Sequence, residues 1–157
     1  MVMTDHRASD FKSSARLKGT KFHAKYRQRY KSWDRVLFLY EIERYMEGKV
    51  FARKLDSSRV IGCPDDFDVN HDKRVSLVEV YTTANDIDEK IIAKKELQLQ
   101  TYAWILEPLI IKAGYKVSGQ HYLEIYDPNS RELLDRRIVE QRYDIIDIIR
   151  EKLSHGK

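Results

Sequence analysis

Two strand-like segments surround the turn Asn70-His71-Asp72-Lys73, and each carries one carboxylate on a face that is otherwise apolar. In a strand, alternate side chains share a face. Ile61, Cys63, Phe67 and Val69 line up on one face of the first segment, and Asp65 falls among them. Val75 and Leu77 share their face with Glu79 and Tyr81 in the second. An isolated buried carboxylate costs several kcal/mol even after relaxation. Two of them on neighbouring strands suit a hard divalent cation such as Mg²⁺. The alternative is that each pairs with a Lys or Arg at the edge of the core. Pro64 also allows a register shift of one residue, which would put Asp66 in place of Asp65.

The segments around this hairpin set the fold class. Residues 1–14 are polar without an apolar period and read as a flexible basic tail, which leaves 15–157 as one domain. From Arg16 to about Trp33 the period is helical, with Phe22, Tyr26, Tyr30 and Trp33 on one face and Lys21, Lys25 and Arg29 beside it. Val36–Tyr45, rich in aromatic and branched residues, reads as a strand, although Leu37–Glu43 could be misread as a helix. Glu47-Gly48-Lys49 predicts a turn and Val50–Arg53 a strand. Arg59–Val69 and Val75–Tyr81 follow as single strands. The longest helix is expected over Ile87–Lys112, kinked or split by Pro108 and ended at Gly114. Tyr115–Tyr126 reads as a strand, Asp127–Ser130 as a turn and Leu133–Val139 as a further strand. Tyr143–Leu153 reads as a closing amphipathic helix. The order predicts a single-domain α/β protein with a mixed central sheet flanked by helices.

Charge and cysteine content narrow the function classes. Residues 1–31 hold nine Lys or Arg and two acids, a net +7, while the remainder is −3. Such a basic segment attracts polyanions, nucleic acid foremost, or serves as a solvated face. Cys63 is the only cysteine, so an intramolecular disulfide, a thiolate zinc site and a cysteine-ligated iron–sulfur cluster are excluded. No apolar run reaches membrane-spanning length and no signal peptide is expected, so the predicted setting is intracellular, cytoplasmic and away from membranes.

Four motifs then coincide. Gly62-Cys63-Pro64-Asp65, followed after the hairpin by Glu79-Val80-Tyr81, resembles the core of PD-(D/E)XK nucleases. More narrowly it resembles their RecB-type branch, which includes the CRISPR-associated adaptation exonucleases. Gly19-Thr20-Lys21-Phe22-His23 is similar to that branch's Gly-x-x-x-His motif, and Gln98-Leu99-Gln100-Thr101-Tyr102-Ala103 to its Gln-x-x-x-Tyr motif. The resemblance spans residues 19 to about 126. It implies a restriction-endonuclease-like core in a compact form without the iron–sulfur cysteines. It also implies Mg²⁺ or Mn²⁺ held by Asp65, Glu79, the Val80 carbonyl and His23. Gln98 and Tyr102 would support the site. Lys18, Lys21, Lys25 and Arg29 would hold the DNA backbone without reading sequence. The motif lysine is missing, because Tyr81 stands where it is expected. Lys94, one helical turn before Gln98 and two before Tyr102, is the best substitute, ahead of Lys95 and Lys90. The alternative for Lys94 is an ordinary surface lysine, and for His23 a satisfied core histidine.

The activity so implied is metal-dependent hydrolysis of DNA phosphodiesters, on linear ends. Its rivals are a degenerate nuclease fold that binds DNA or a partner without cutting, a dimeric junction resolvase, and a structural protein whose Asp65 and Glu79 form core salt bridges.

Overall fold

Ser32 starts the first helix among the described residues: its side chain accepts a hydrogen bond from the Arg35 amide, at 3.1 Å, and Asp34 sits in the first turn where the helix dipole favours an acid. A computed structural model describes residues 5–7 and 32–155, the first three by backbone only. This helix, α1 (Trp33–Ile42), continues as a 3₁₀ turn over Glu43–Tyr45. The strand expected over Val36–Tyr45 is therefore a helix. Its buried residues, Arg35, Phe38 and Ile42, recur at helical spacing, and the aromatic and branched residues that suggested a strand lie largely on the other side.

After β1 (Asp5–Arg7), which falls inside the segment expected as a tail, and α1, the chain forms β2 (Phe51–Leu55) and β3 (Ser58–Gly62). It then forms β4 (Asp66–Val69) and β5 (Arg74–Thr82), followed by α2 (Glu89–Lys112). Last come β6 (Lys116–Val117), β7 (Gln120–Tyr126), β8 (Leu133–Glu140) and α3 (Ile145–His155). Five strands make the main, mixed sheet, in the order β4-β5-β7-β8 with β6 beside β5. β5 is parallel to β7 and antiparallel to β4, and β7 is antiparallel to β8. A smaller sheet has the order β1-β3-β2. The described residues thus form one α/β domain. None of their helices is long and apolar enough to cross a membrane.

The expected single strand over Arg59–Val69 is in fact two, in different sheets, with Cys63-Pro64-Asp65 as the crossing. Proline lacks the amide that a continuous ladder needs, so the break falls beside it. The turn after β4 is held by Asn70, whose side-chain oxygen accepts from the Asp72 and Arg74 amides.

α2 packs against strands of both sheets and against α3. Its buried stretch from Gln98 to Leu106 meets Phe67, Leu77, Leu123 and Ile125 in the principal core. Pro108 lies inside α2 and does not split it. A helical proline frees the carbonyl one turn earlier. That carbonyl, of Trp104, accepts instead from Arg53 of β2. Gly114, at φ +90°, takes the left-handed conformation that ends the helix.

Candidate active site

The register of the β4–β5 hairpin determines which carboxylates meet. Phe67 faces Leu77 and Val69 faces Val75 on the core side. Extending that alternation past the start of β4 brings Asp65 toward Glu79 on the same side. The backbone locks the two together. The Asp65 amide donates to Glu79 Oε1 at 3.0 Å, and the Val80 amide donates to Asp65 Oδ2 at 2.7 Å. Glu79 is 3% exposed, while Asp65 is half-buried at the crossing between the sheets. A buried carboxylate beside a partly open one gives a site with one anchored donor and one that reaches solvent.

Asp66 behaves differently. It points to the other side of β4 and pairs with Arg35 of α1 at 2.7 Å, both groups buried, while its Oδ1 also accepts from the Phe67 amide. The register shift that would exchange Asp66 for Asp65 therefore does not occur: the arginine takes Asp66. Glu124 on β7 is a second buried carboxylate with an arginine, Arg136 at 3.1 Å, and with the Tyr126 hydroxyl, which donates to it at 3.0 Å. Sequence reasoning missed both pairs. Nothing in the local pattern at Arg35 or Arg136 marks them as partners of residues 31 and 12 positions away.

Gln98 and Tyr102 lie on one face of α2, with Gln98 Nε2 donating to the Tyr102 hydroxyl at 2.6 Å, and both are buried. The Tyr102 ring lies against Gly62, with its Cδ1 and Cε1 where a β-carbon would stand. Only glycine at the end of β3 admits this close approach. Gly62 thereby brings the Gln98–Tyr102 pair to the strand end that leads through Cys63 and Pro64 into Asp65. Sequence alone marked Gly62 only as part of a motif.

Tyr81, two residues beyond Glu79 on the same face of β5, is half-buried against the principal core. Lys94 is exposed on α2, one turn before Gln98, and Lys95 is half-buried. His23, Lys18, Lys21, Lys25 and Arg29 lie outside the described residues. Trp33, grouped with the aromatic stripe of residues 22–33, is 73% exposed at the start of α1.

The donor set fits a hard divalent cation: two carboxylates and the adjacent Val80 carbonyl offer only oxygen. Among the described residues no group of three or more His, Cys, Asp or Glu side chains is arranged to hold a metal. An open depression of about 640 Å³ lies past the end of β5, lined by residues 83–87, Asp127 and Leu134, and includes none of these candidates.

No protein-family model matches the chain, and no curated protein is significantly similar to it in sequence. Among solved structures, the fold is similar to that of SSO0001, with a TM-score of 0.59 and 13% identity, over 90% of this chain and 61% of that one. A protein from Eubacterium rectale, described as a candidate exonuclease, aligns with a TM-score of 0.45 and 13% identity, over 92% of this chain and 65% of that one. The chain thus spans less than two thirds of the length of either. The likeness to SSO0001 bears on the fold alone.

Proposed function

We propose that the chain is a divalent-metal-dependent deoxyribonuclease of the PD-(D/E)XK type, hydrolysing phosphodiesters at linear DNA ends. The observation that carries this reading is the reciprocal lock of Asp65 and Glu79. Their carboxylates come from the sheet crossing and from β5, and the Asp65 and Val80 amides hold them together.

Asp65, Glu79 and the Val80 carbonyl, with His23, would hold Mg²⁺ or Mn²⁺. When bound, such an ion polarises a phosphate oxygen and makes water a stronger acid. Gln98 and Tyr102 would fix the helix wall of the site, since their mutual hydrogen bond and the Gly62 contact leave the tyrosine ring one position. Lys94 would supply the positive charge that Tyr81 lacks. Its long, exposed side chain lies on the helix one turn before Gln98, and Tyr81 can donate a hydrogen bond to water. Lys18, Lys21, Lys25 and Arg29 would neutralise backbone phosphates, which makes binding steeply salt-dependent and indifferent to sequence.

The deciding test is cleavage of linear duplex and closed circular DNA with Mg²⁺, Mn²⁺ or EDTA, beside Asp65→Ala and Glu79→Ala. Metal-dependent cutting of the linear form, lost in both variants while DNA binding survives, is expected. One observation favours a second reading, a nuclease fold that binds without cutting: a tyrosine occupies the lysine's place beside Glu79. Metal-indifferent DNA binding without cleavage would establish that reading instead.

A further inference from the structure

Asp66 is the first residue of β4, and Asp65 immediately precedes it. β4 has four residues and pairs only with β5 among the described strands, so one ladder holds it. A short edge strand opens first at its ends. Asp65 lies just beyond the last ladder pair, Asp66 opposite Val78. Its hydrogen bonds to the Glu79 carboxylate and from the Val80 amide are made only while the start of β4 keeps its register.

α1 grips that start by two successive residues. Arg35 Nε donates to Asp66 Oδ1 at 2.7 Å, Arg35 Nη2 lies 2.7 Å from the same oxygen, and the Phe67 amide donates to it at 2.8 Å. Three donors on one oxygen fix the Asp66 side chain, and one planar peptide joins Asp66 to Asp65. Phe38, three residues after Arg35, packs edge-on against Phe67 at 5.0 Å between ring centres. Successive strand residues point to opposite sides, so Arg35 and Phe38 hold β4 by both of its faces.

Stability accounts poorly for the choice of an arginine and an aspartate here. Both are buried, and replacing a buried ion pair by apolar residues of similar volume is often neutral or stabilising. What an apolar pair lacks is direction, which the planar guanidinium fork supplies. We infer that Arg35, acting through Asp66, is a positioning residue for the Asp65–Glu79 pair. Its effect on metal binding rests on the reading of that pair as a metal site; its effect on the pair's geometry does not. Groups that orient metal ligands from behind typically change metal affinity by about 10–100-fold.

The test compares the 157-residue chain with the double variant Arg35→Met with Asp66→Leu, whose apolar pair keeps β4 packed on α1. Arg35→Lys, which keeps the charge but not the fork, is a second variant that preserves the fold. Hydrogen exchange of single amides by NMR and titration calorimetry with Mn²⁺ alone are the two readouts. In the double variant the Asp65 and Val80 amides should exchange faster, while the Leu77 amide, bonded to His121, keeps its wild-type rate. Mn²⁺ should bind about 10–100-fold more weakly, with a denaturation midpoint close to that of the wild type. Arg35→Lys should show both effects in smaller measure, and Asp65→Ala sets the lower limit of affinity. Wild-type exchange at Asp65 and Val80 in the folded variants overturns the assignment. So does wild-type Mn²⁺ affinity, and Arg35 is then a structural residue only. Faster exchange at the two amides in a protein that binds no Mn²⁺ leaves Arg35 a positioning residue and overturns the metal reading of the pair instead.

Discussion

Arg53 Nη1 donates to the carbonyl oxygen of Trp104 at 2.6 Å, and the same guanidinium stacks over the Trp104 ring at 4.4 Å. Trp104 is the residue whose carbonyl Pro108 leaves without its helical partner. One side chain from β2 thus repairs the helix at its proline and ties the smaller sheet to α2. Arg53→Ala should destabilise the fold by about 1–3 kcal/mol, the cost of a buried carbonyl without a partner. In a Pro108→Ala background the restored amide at 108 takes over, so the same substitution should cost measurably less. Urea denaturation of the four proteins in this double-mutant cycle reads the coupling. Additive effects would mean that Arg53 acts through ring stacking alone.

Gly62 and Tyr102 are coupled by space. A β-carbon at position 62 meets the tyrosine ring, so Gly62→Ala should cost about 1–3 kcal/mol through overpacking. Adding Tyr102→Ala should make the extra methyl nearly neutral relative to Tyr102→Ala alone. Thermal melts of the four proteins decide this, and an equal loss in both backgrounds would point to backbone strain instead.

Arg35 and Asp66 form a buried ion pair next in sequence to the candidate site. Arg35→Met takes the arginine from a buried carboxylate and should cost about 3–5 kcal/mol. Arg35→Met with Asp66→Leu should recover much of that loss, since an apolar pair removes both desolvation penalties. Chemical denaturation measures each. A double variant as unstable as the single one would show that the Asp66 bond to the Phe67 amide matters more than the arginine.

His121 is fully buried on β7, its Nδ1 accepting from the Leu77 amide at 3.0 Å. Nε2 finds no hydrogen-bond partner among the described residues. Burial pushes its pKa down from the ordinary 6.5 to about 4. The unfolded chain then binds this proton first as pH falls, so stability is full above about 6.5 and declines from there toward pH 4. The decline should approach about 3 kcal/mol, because each tenfold difference in proton affinity between the folded and unfolded chain is worth about 1.4 kcal/mol. His121→Gln, which keeps an acceptor for the Leu77 amide but does not titrate, should flatten that part of the profile. Denaturant midpoints at several pH values between about 4 and 7 read the slope.

Lys94 tests the proposed chemistry. If it supplies the charge missing at Tyr81, Lys94→Ala should lower the rate of DNA cleavage by about 10²-fold, the scale of losing one charge stabiliser, with DNA affinity nearly unchanged. Tyr81→Lys in that background should restore part of the rate. Unaltered cleavage in Lys94→Ala would make Lys94 a surface lysine.

Local pattern was enough for much of the architecture. The turns at 47–49, 70–73 and 127–130 were legible because Gly, Asn and Asp carry their own conformational preferences. The closing helix was legible because its apolar residues recur at helical spacing, and the long helix and β5 because their apolar runs are bounded by turn and capping residues, although both are buried on more than one face. Alternation along the hairpin was enough to bring Asp65 and Glu79 to one side, since a strand's side chains change face at every residue. Long-range contact decided the rest. Whether 36–45 is helix or strand depends on which residues find a core, and Phe38 finds its own against Phe67 and Tyr115, both remote in sequence. Whether Asp65 or Asp66 faces the core depends on Arg35. Whether Pro108 breaks α2 depends on Arg53. In each case the deciding energy is that of a buried polar or apolar group meeting a partner about 30 or more residues away, and no window of local sequence contains it.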